Sequence, residues 1–205
     1  MSKNYKEPTT EESIINAAEE VFLTNGVTRT TMSMIATQAK ISRTSLNYYY
    51  RSKEQLFNIV FSRIIGSKII PSLTNLIESD ITILEKIKNF IDEYIDLVIS
   101  NPSIPVFLIM ELQREPGPII EIFGQMNLNI KKLKNQIDHE IKTGLIKQFN
   151  LEDLYTNVMG MSIFPLLSKP VLMQHIFNEK DDEFLDFFEN RKKIIYMVIE
   201  KWLKA

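Results

Sequence analysis

The chain of 205 residues contains no cysteine, and it has only two histidines, six glycines and eight prolines. Without cysteine, neither a disulfide framework nor a thiolate metal site can form. The N-terminal stretch lacks the apolar segment of a signal peptide, and no uninterrupted apolar run approaches the length that spans a bilayer. These absences predict a soluble, cytoplasmic protein that does not contact a membrane.

Motifs of the common enzyme classes are also missing. The sequence has no nucleophile elbow, no phosphate-binding loop and no dinucleotide fingerprint. His139 and His175 have no metal-ligand spacing relative to each other or to carboxylates such as Glu140. We therefore predict a protein that is not an enzyme and that has neither a metal site nor another cofactor.

The charge is unevenly distributed along the chain. Between Arg29 and Lys68 seven basic residues stand against one acidic residue, Glu54, whereas the whole chain has a net charge of −2. A basic segment in an otherwise acidic protein favours a polyanionic partner for that segment alone. A merely solvated surface would show the same charges, so the charge does not decide between the two.

Apolar residues recur at the three-to-four-residue spacing of helices, and the few glycines and prolines lie between these periodic segments. The sequence therefore predicts an all-α protein. Thr9 with Glu12 and Ser52 with Gln55 have the spacing of capping boxes, and Thr31 is a candidate N-cap. Helices are expected over 9–24, 32–40, 43–49, from 52 onward, and over 81–100, 102–114, 119–149, 151–168, 171–178 and 182–204.

Residues 31–50 have the pattern of a helix-turn-helix. Two short helices are expected to be joined by a tight link, polar and basic side chains begin the second helix, and Leu46 is the candidate for its buried anchor. In this motif the second helix enters the DNA major groove, and flanking side chains contact phosphates. The candidates for base contacts are Arg43, Thr44, Ser45 and Asn47, and those for phosphate contacts are Thr31, Tyr48, Tyr49 and Lys53.

Five motifs in this region occur together. They are I-x-x-A-A-x-x-x-F at Ile14–Phe22, N-G at Asn25-Gly26, T-T-M-x-x-I-A at Thr30–Ala36, S-x-x-x-L-x-x-Y at Ser42–Tyr49 and S-K-E-x-L-F at Ser52–Phe57. With them, residues 14–57 resemble the DNA-binding domain of TetR-family transcriptional regulators. The remainder resembles that family only in its length, its helical pattern and its aromatic-rich last helix.

The resemblance implies a two-part regulator. Residues 8–68 would form the three-helix DNA-binding domain, and residues 69–205 a larger helical domain that binds an effector and dimerises. The homodimer would form through the helices near 151–168 and 182–204, although their apolar residues also suit an internal core. It would bind a pseudo-palindromic operator in double-stranded DNA and act as a repressor that a small molecule releases. The alternatives are an activator, an effector-independent regulator, or a small-molecule-binding helical protein without specific DNA recognition.

Two residues depart from the family pattern. Lys40 stands where the family usually has glycine, so the turn must accept a side chain and a possible positive φ. Asn47 stands where the family usually has tyrosine, and asparagine pairs bidentately with adenine. We therefore expect an unusual base preference at Asn47.

The three consecutive tyrosines are expected to face different partners rather than to form a stacking platform. Tyr50 falls where the family has a buried phenylalanine, so we expect it in the core. Tyr49 would pack its ring and offer its hydroxyl to a phosphate, and Tyr48 would face DNA.

The effector pocket is less well defined by the sequence. Methionine and phenylalanine line adaptable apolar pockets, but they also fill ordinary cores. The candidates for ligand binding are Phe107, Met110, Phe123, Met126 and Met159.

Overall fold

The computed structural model describes residues 9–125 and 128–204. These residues form twelve α-helices and one π-helical turn, Ile65–Ile69, and their only β-type pairing is an isolated antiparallel bridge between Ile146 and Lys204. The all-α prediction is confirmed. The helices are α1 (Thr10–Arg29), α2 (Met32–Gln38), α3 (Arg43–Tyr49), α4 (Lys53–Ile64), α5 (Ile70–Glu78), α6 (Ile83–Ser100), α7 (Ser103–Arg114), α8 (Pro116–Gly124), α9 (Ile130–Lys142), α10 (Leu151–Leu167), α11 (Lys169–His175) and α12 (Asp181–Leu203).

The prediction of one helix over 119–149 is wrong. In its place, α8 ends at Gly124 and α9 begins after Asn129, whose side chain accepts a hydrogen bond from the Lys132 backbone N–H at 3.1 Å. The helix α9 then ends before Gly144, which has a φ of 74°. Asparagine as N-cap and glycine after the last turn are local helix boundaries, and they override the continuous apolar spacing.

The first compact unit consists of the described residues up to Ser67 together with Phe107–Gln125. Its core contains the buried Phe22, Phe57, Phe61 and Phe107. The Phe57 ring lies 5.7 Å from Phe22, 5.5 Å from Phe61 and 5.9 Å from Phe107, centroid to centroid. This aromatic cluster fixes α4 against α1 and against the start of the Phe107–Gln125 segment.

The second unit contains Lys68–Val106 and the described residues after Gln125. Its core is a cluster of buried aliphatic and aromatic side chains from α6, α9, α10 and α12, including Ile91, Ile95, Val158, Phe188 and Ile195. A buried carboxylate, that of Glu140 on α9, accepts the backbone N–H of Ile83 at 3.0 Å and so caps the first turn of α6.

One helical stretch among the described residues, Lys53–Glu78, is long and apolar enough by composition to cross a membrane. Core helices of water-soluble proteins satisfy the same criterion. In this stretch Leu56, Val60 and Ile64 are fully buried within the protein's own core.

Candidate nucleic-acid interface

The turn between α2 and α3 has the hydrogen bonds of a Schellman motif. The backbone N–H of Ile41 donates to the Ala36 carbonyl at 3.0 Å, and that of Lys40 donates to the Thr37 carbonyl at 3.1 Å. Lys40 occupies the position that glycine usually takes and has a φ of 57°. The predicted left-handed conformation at this residue is confirmed.

The helix α3 presents a polar surface around one buried anchor. Leu46 is fully buried, whereas the side chains on either side of it are exposed. The Ser42 hydroxyl caps the helix by accepting the Ser45 backbone N–H at 3.0 Å. Because α3 has only one turn before Leu46, the cap and the anchor together hold its first residues outward. The exposed residues of α3 are Arg43, Thr44, Ser45, Asn47, Tyr48 and Tyr49.

The tyrosines follow the predicted gradient of exposure. Tyr48 is 85% exposed, Tyr49 36% and Tyr50 7%, and burial raises the pKa of the Tyr50 phenol. The Tyr48 and Tyr49 rings nevertheless contact each other edge to face, with centroids 5.5 Å apart. The expectation of entirely separate partners was therefore too simple, because the exposed ring of Tyr48 is supported by Tyr49.

Two further helix starts lie near α3 in sequence. Thr31, which is exposed, caps α2 by accepting the Met34 backbone N–H at 3.2 Å. Ser52 caps α4 by accepting the Gln55 backbone N–H at 3.1 Å. The second capping box is incomplete, because the Gln55 side-chain oxygen accepts the backbone N–H of Arg51 rather than that of Ser52.

Lys53 has a contact that the sequence did not reveal. Its ammonium Nζ donates to the Val27 carbonyl oxygen at 2.8 Å and thereby joins the start of α4 to the end of α1. Val27 follows Gly26, where α1 kinks with a φ of 70°. An ammonium has three N–H donors, so this bond leaves Lys53 able to contact a phosphate as well.

The second unit contains a cavity of about 220 Å³. Of the five predicted ligand residues, Met159 lines it. Phe107 lies in the aromatic cluster of the first unit, Met110 and Phe123 are 57% and 42% exposed, and Met126 lies outside the described residues. The residues that line the cavity are Leu73, Leu76, Ile77, Ile83, Lys86, Ile87, Phe90, Leu128, Ile130, Leu133, Ile137, Leu151, Leu154, Tyr155, Val158 and Met159.

Lys86 is the cationic residue among the cavity-lining side chains, and sequence reasoning missed it. It is 3% exposed, and its Nζ donates to the Ile77 carbonyl oxygen at 2.8 Å. Burial, with the charge of Lys132 adding to it, lowers the pKa of the Lys86 ammonium below its ordinary value. The sequence could have indicated that Lys86 is buried, because it lies three residues after Ile83 and four before Phe90, on the apolar face of α6.

The helices α10 and α12 each have two apolar sides. In α12, Phe188, Ile195 and Ile199 are buried in the unit, whereas Met197 and Val198 are 54% and 44% exposed. In α10, Phe164 and Leu167 are 68% and 45% exposed, and an added Cβ on Gly160 would meet no atom within 4 Å. These helices therefore contribute to the core and also present an outer apolar surface.

The cap, the turn and the exposed face of α3 define the first unit as a helix-turn-helix DNA-binding unit. Residues 14–60 match the model of the bacterial regulatory proteins, tetR family. This segment of the chain is therefore similar to the DNA-binding domain of that family, as the sequence motifs predict.

Similar proteins match most of the length of the chain. The fatty acid metabolism regulator protein of Bacillus subtilis (strain 168) is 24% identical over 169 residues, which cover 82% of this chain and 85% of that protein. The fold is similar to that of the transcriptional regulator FadR from Bacillus subtilis, crystallised in complex with stearoyl-CoA, with 20% identity, a TM-score of 0.64 and coverage of 90% and 96% of the two chains. A TetR family transcription regulator from Marinobacter aquaeolei VT8 has a TM-score of 0.65 at 16% identity, with 96% of each chain covered.

Proposed function

We propose that this regulator is a homodimeric repressor that leaves its operator when a small, largely apolar molecule binds its second unit. The exposed polar face of α3 around the buried Leu46 carries the DNA-binding half of this proposal. The cavity of about 220 Å³ in the second unit supports the effector-binding half. Residues 8–68 would serve DNA recognition, and residues 69–205 would serve effector binding and dimerisation.

The roles of the α3 side chains follow from their chemistry. Arg43 and Asn47 are exposed and have the donors and acceptors that read guanine and adenine edges in the major groove. Thr44 and Ser45 offer shorter hydroxyls at the start of the same helix. We assign base contacts to these four residues.

Phosphate contacts flank this helix. Tyr48 offers its hydroxyl from an almost fully exposed side chain, and Tyr49 does so from a partly packed one. Thr31 and Lys53 lie at the first residues of α2 and α4, where backbone N–H groups and the helix dipole also favour a phosphate. In a dimer, two copies of this arrangement would read half-sites about 34–36 Å apart.

The exposed apolar sides of α10 and α12 support dimerisation through these two helices. Phe164, Leu167, Met197 and Val198 would leave water on association, which is the favourable term for a symmetric helical interface. A cytoplasmic location is consistent with a regulator that must reach DNA.

The chemistry of the effector is supported by both the cavity and a relative. Fourteen of its sixteen lining residues are apolar; the others are Lys86 and Tyr155. The similar FadR structure from Bacillus subtilis contains stearoyl-CoA. Both observations favour a molecule with an aliphatic chain over a polar metabolite.

The assigned contacts can be tested by two variants, one expected to change base preference and the other expected to change the salt dependence of binding. Asn47→Ala should relax the base preference at one operator position, at a cost of about 1–3 kcal/mol in discrimination. Lys53→Met should weaken binding to all sequences alike and reduce the slope of log affinity against log salt by about one. Both are measured by fluorescence anisotropy on a set of single-base operator variants at several salt concentrations.

Lys88→Met is the matched control for Lys53, because Lys88 is an exposed lysine on α6 in the second unit, paired with Asp92. Its slope should equal that of the wild type. Since Lys53 also bonds Val27, thermal unfolding of Lys53→Met shows whether the unit stays folded. An unchanged salt slope in a folded Lys53→Met protein, or an unchanged base preference in Asn47→Ala, contradicts the assignment.

A further inference from the structure

The described residues that line the cavity of the second unit offer no polar atom to a ligand. The surface of the cavity is wholly apolar, although Lys86 and Tyr155 are among the residues that line it. The Lys86 ammonium donates to the Ile77 carbonyl oxygen near the end of α5 at 2.8 Å, and Lys86 therefore lines the cavity with its aliphatic stem. Tyr155 likewise contributes only carbon atoms. A ligand inside the cavity thus meets neither a hydrogen-bond partner nor a charge.

The lining residues differ in exposure, and this difference separates an inner wall from a rim. Ile83, Ile87 and Val158 are buried, whereas Ile130 is 40% and Tyr155 65% exposed. Exposed residues can line a cavity only where it meets solvent, so Ile130 and Tyr155 lie at the rim. A polar group of a ligand keeps its water at this rim. The same group at the inner wall would lose its water without replacement, which is unfavourable for a neutral group and more so for a charge.

The volume of the cavity limits how much of a chain can enter. A dry apolar cavity of ~150 Å³ holds benzene, so by proportion a cavity of about 220 Å³ holds roughly nine carbon atoms. The remainder of a longer chain would stay at the rim or in solvent, where further methylene groups bury little surface. Length and polarity are therefore restricted together.

We propose that the cavity takes the unsubstituted end of an aliphatic chain, methyl group first, to a depth of about nine carbons, and that the polar head stays outside. This proposal rests on the proposed function and specifies which part of its effector is recognised. An alcohol, a carboxylate and a coenzyme A thioester can all carry such a chain end. The shared chemistry is thus the chain end itself, and the head group identifies the source.

The first experiment measures the dependence of affinity on chain length in the unaltered protein. Unbranched primary alcohols from hexanol to dodecanol are titrated by isothermal titration calorimetry. Each added methylene should raise the affinity about fourfold, the equivalent of ~0.8 kcal/mol, as long as it is buried. The rise should stop near nine or ten carbons, because later methylene groups lie outside the cavity.

The second experiment places a polar group at the far end of the chain. Decanol is compared with 1,10-decanediol, and decanoate with 10-hydroxydecanoate, so that each pair differs only in the far hydroxyl. The hydroxyl should weaken binding roughly 5-fold to 150-fold, the equivalent of about 1–3 kcal/mol, because the inner wall gives it no partner. Among decanol, decanoate and decanoyl-coenzyme A, the tightest binder then identifies the head group that the effector carries outside the cavity.

The third experiment changes the depth of the cavity. Val158→Phe adds about four carbon atoms to the inner wall, so the rise in affinity should end about four carbons earlier. Leu133→Ala removes about three carbon atoms and should extend the rise by a similar length. Val171→Phe is the matched control, because Val171 is 60% exposed on α11 and does not line the cavity. Thermal unfolding verifies that each variant is folded.

Three results would overturn the proposal. They are an affinity that still rises about fourfold per methylene up to dodecanol, equal binding of the hydroxylated ligands and their parents, and an unchanged length dependence in both cavity variants. Binding of none of these chains would overturn it as well. Operator binding is measured on the same proteins without ligand. Its loss would count against the proposed function, whereas failure of the length dependence alone leaves the DNA-binding function intact.

Discussion

At the scale of single residues, Lys40 occupies a left-handed backbone position where the family usually has glycine. Two helices of this protein end in the same Schellman pattern. After α9 the left-handed position is Gly144, with a φ of 74°, whereas after α2 it is Lys40, with a φ of 57°. A left-handed conformation costs an L-residue roughly 1–2 kcal/mol, and glycine nothing comparable. The lysine therefore carries strain in the turn that precedes the recognition helix.

We predict that Lys40→Gly stabilises the protein by about 0.5–1 kcal/mol, the relief of strain less the larger chain entropy of unfolded glycine. The neighbouring Ala39 has a helical φ of −74°, so Ala39→Gly is the matched control and should destabilise by a similar amount. Urea unfolding measures both. A destabilised Lys40→Gly protein would show that the lysine side chain contributes more than its backbone conformation costs.

Some features of single residues follow from sequence patterns, whereas others depend on tertiary packing. The burial of Leu46 and Tyr50 and the exposure of Tyr48 follow from helical spacing and from the family pattern, and the structure confirms them. The bond from Lys53 to the Val27 carbonyl joins residues 26 positions apart. No local pattern encodes such a contact, because it depends on the packing of α4 against α1.

At the scale of elements, the short helices with strong caps were predicted well, and so were the long helices over 81–100, 151–168 and 182–204, whereas the long helix over 119–149 was not. Thr31 and Ser42 each cap a helix through a single hydroxyl, and their helices begin at the expected residues. Over 119–149 the apolar spacing continues through two helix boundaries, so the spacing alone conceals the break. Asn129 and Gly144 were the local signals for that break.

The cavity of the second unit is formed by several helices together. Its walls come from α5, α6, α9 and α10 and from Leu128, and Met159 is the one residue there among the four predicted ligand residues that the structure describes. Composition identifies methionine and phenylalanine as pocket-forming types, but the packing of four helices decides which residues meet. Phe107 serves the aromatic cluster of the first unit instead.

The outer face of α10 gives a prediction about association. Gly160 lies one turn before Phe164 and two turns before Leu167 on the same helix face, and an added Cβ there meets no atom within 4 Å. In a single chain the arginine side chain would extend into open space, so Gly160→Arg should still fold. In a dimer the same side chain would enter the interface, so the variant should be monomeric. Sedimentation velocity checks this, with the unaltered protein expected as a dimer.

Gly160→Ala is the conservative comparison, since one methyl group disturbs a helical interface far less than a buried, unpaired guanidinium. We expect it to remain dimeric and to gain roughly 0.8–1 kcal/mol in helix propensity. Dimerisation of Gly160→Arg with unaltered affinity would exclude this face of α10 from the interface.

At the scale of the whole molecule, the match over residues 14–60 and the helix-turn-helix geometry describe the DNA-binding part of the chain in detail. The second unit is described by its fold, its cavity and its exposed helices. Its cavity is lined by particular side chains, such as Phe90 and Met159, which family patterns do not specify. The sequence alone therefore predicts the fold class and the recognition helix, and the structure adds the candidate effector site.

Footprinting on the DNA immediately upstream of this protein's own gene tests whether the exposed face of α3 binds DNA sequence-specifically. We expect a saturable footprint with two half-sites about one helical turn apart, which weakens steeply with salt. Arg43→Ala should require roughly 5-fold to 150-fold more protein to produce this footprint, the equivalent of about 1–3 kcal/mol, whereas Lys88→Met should match the unaltered protein. A protein that is folded and dimeric but protects no specific sequence in modest salt, on that DNA or on sites selected from random duplexes, would contradict the account.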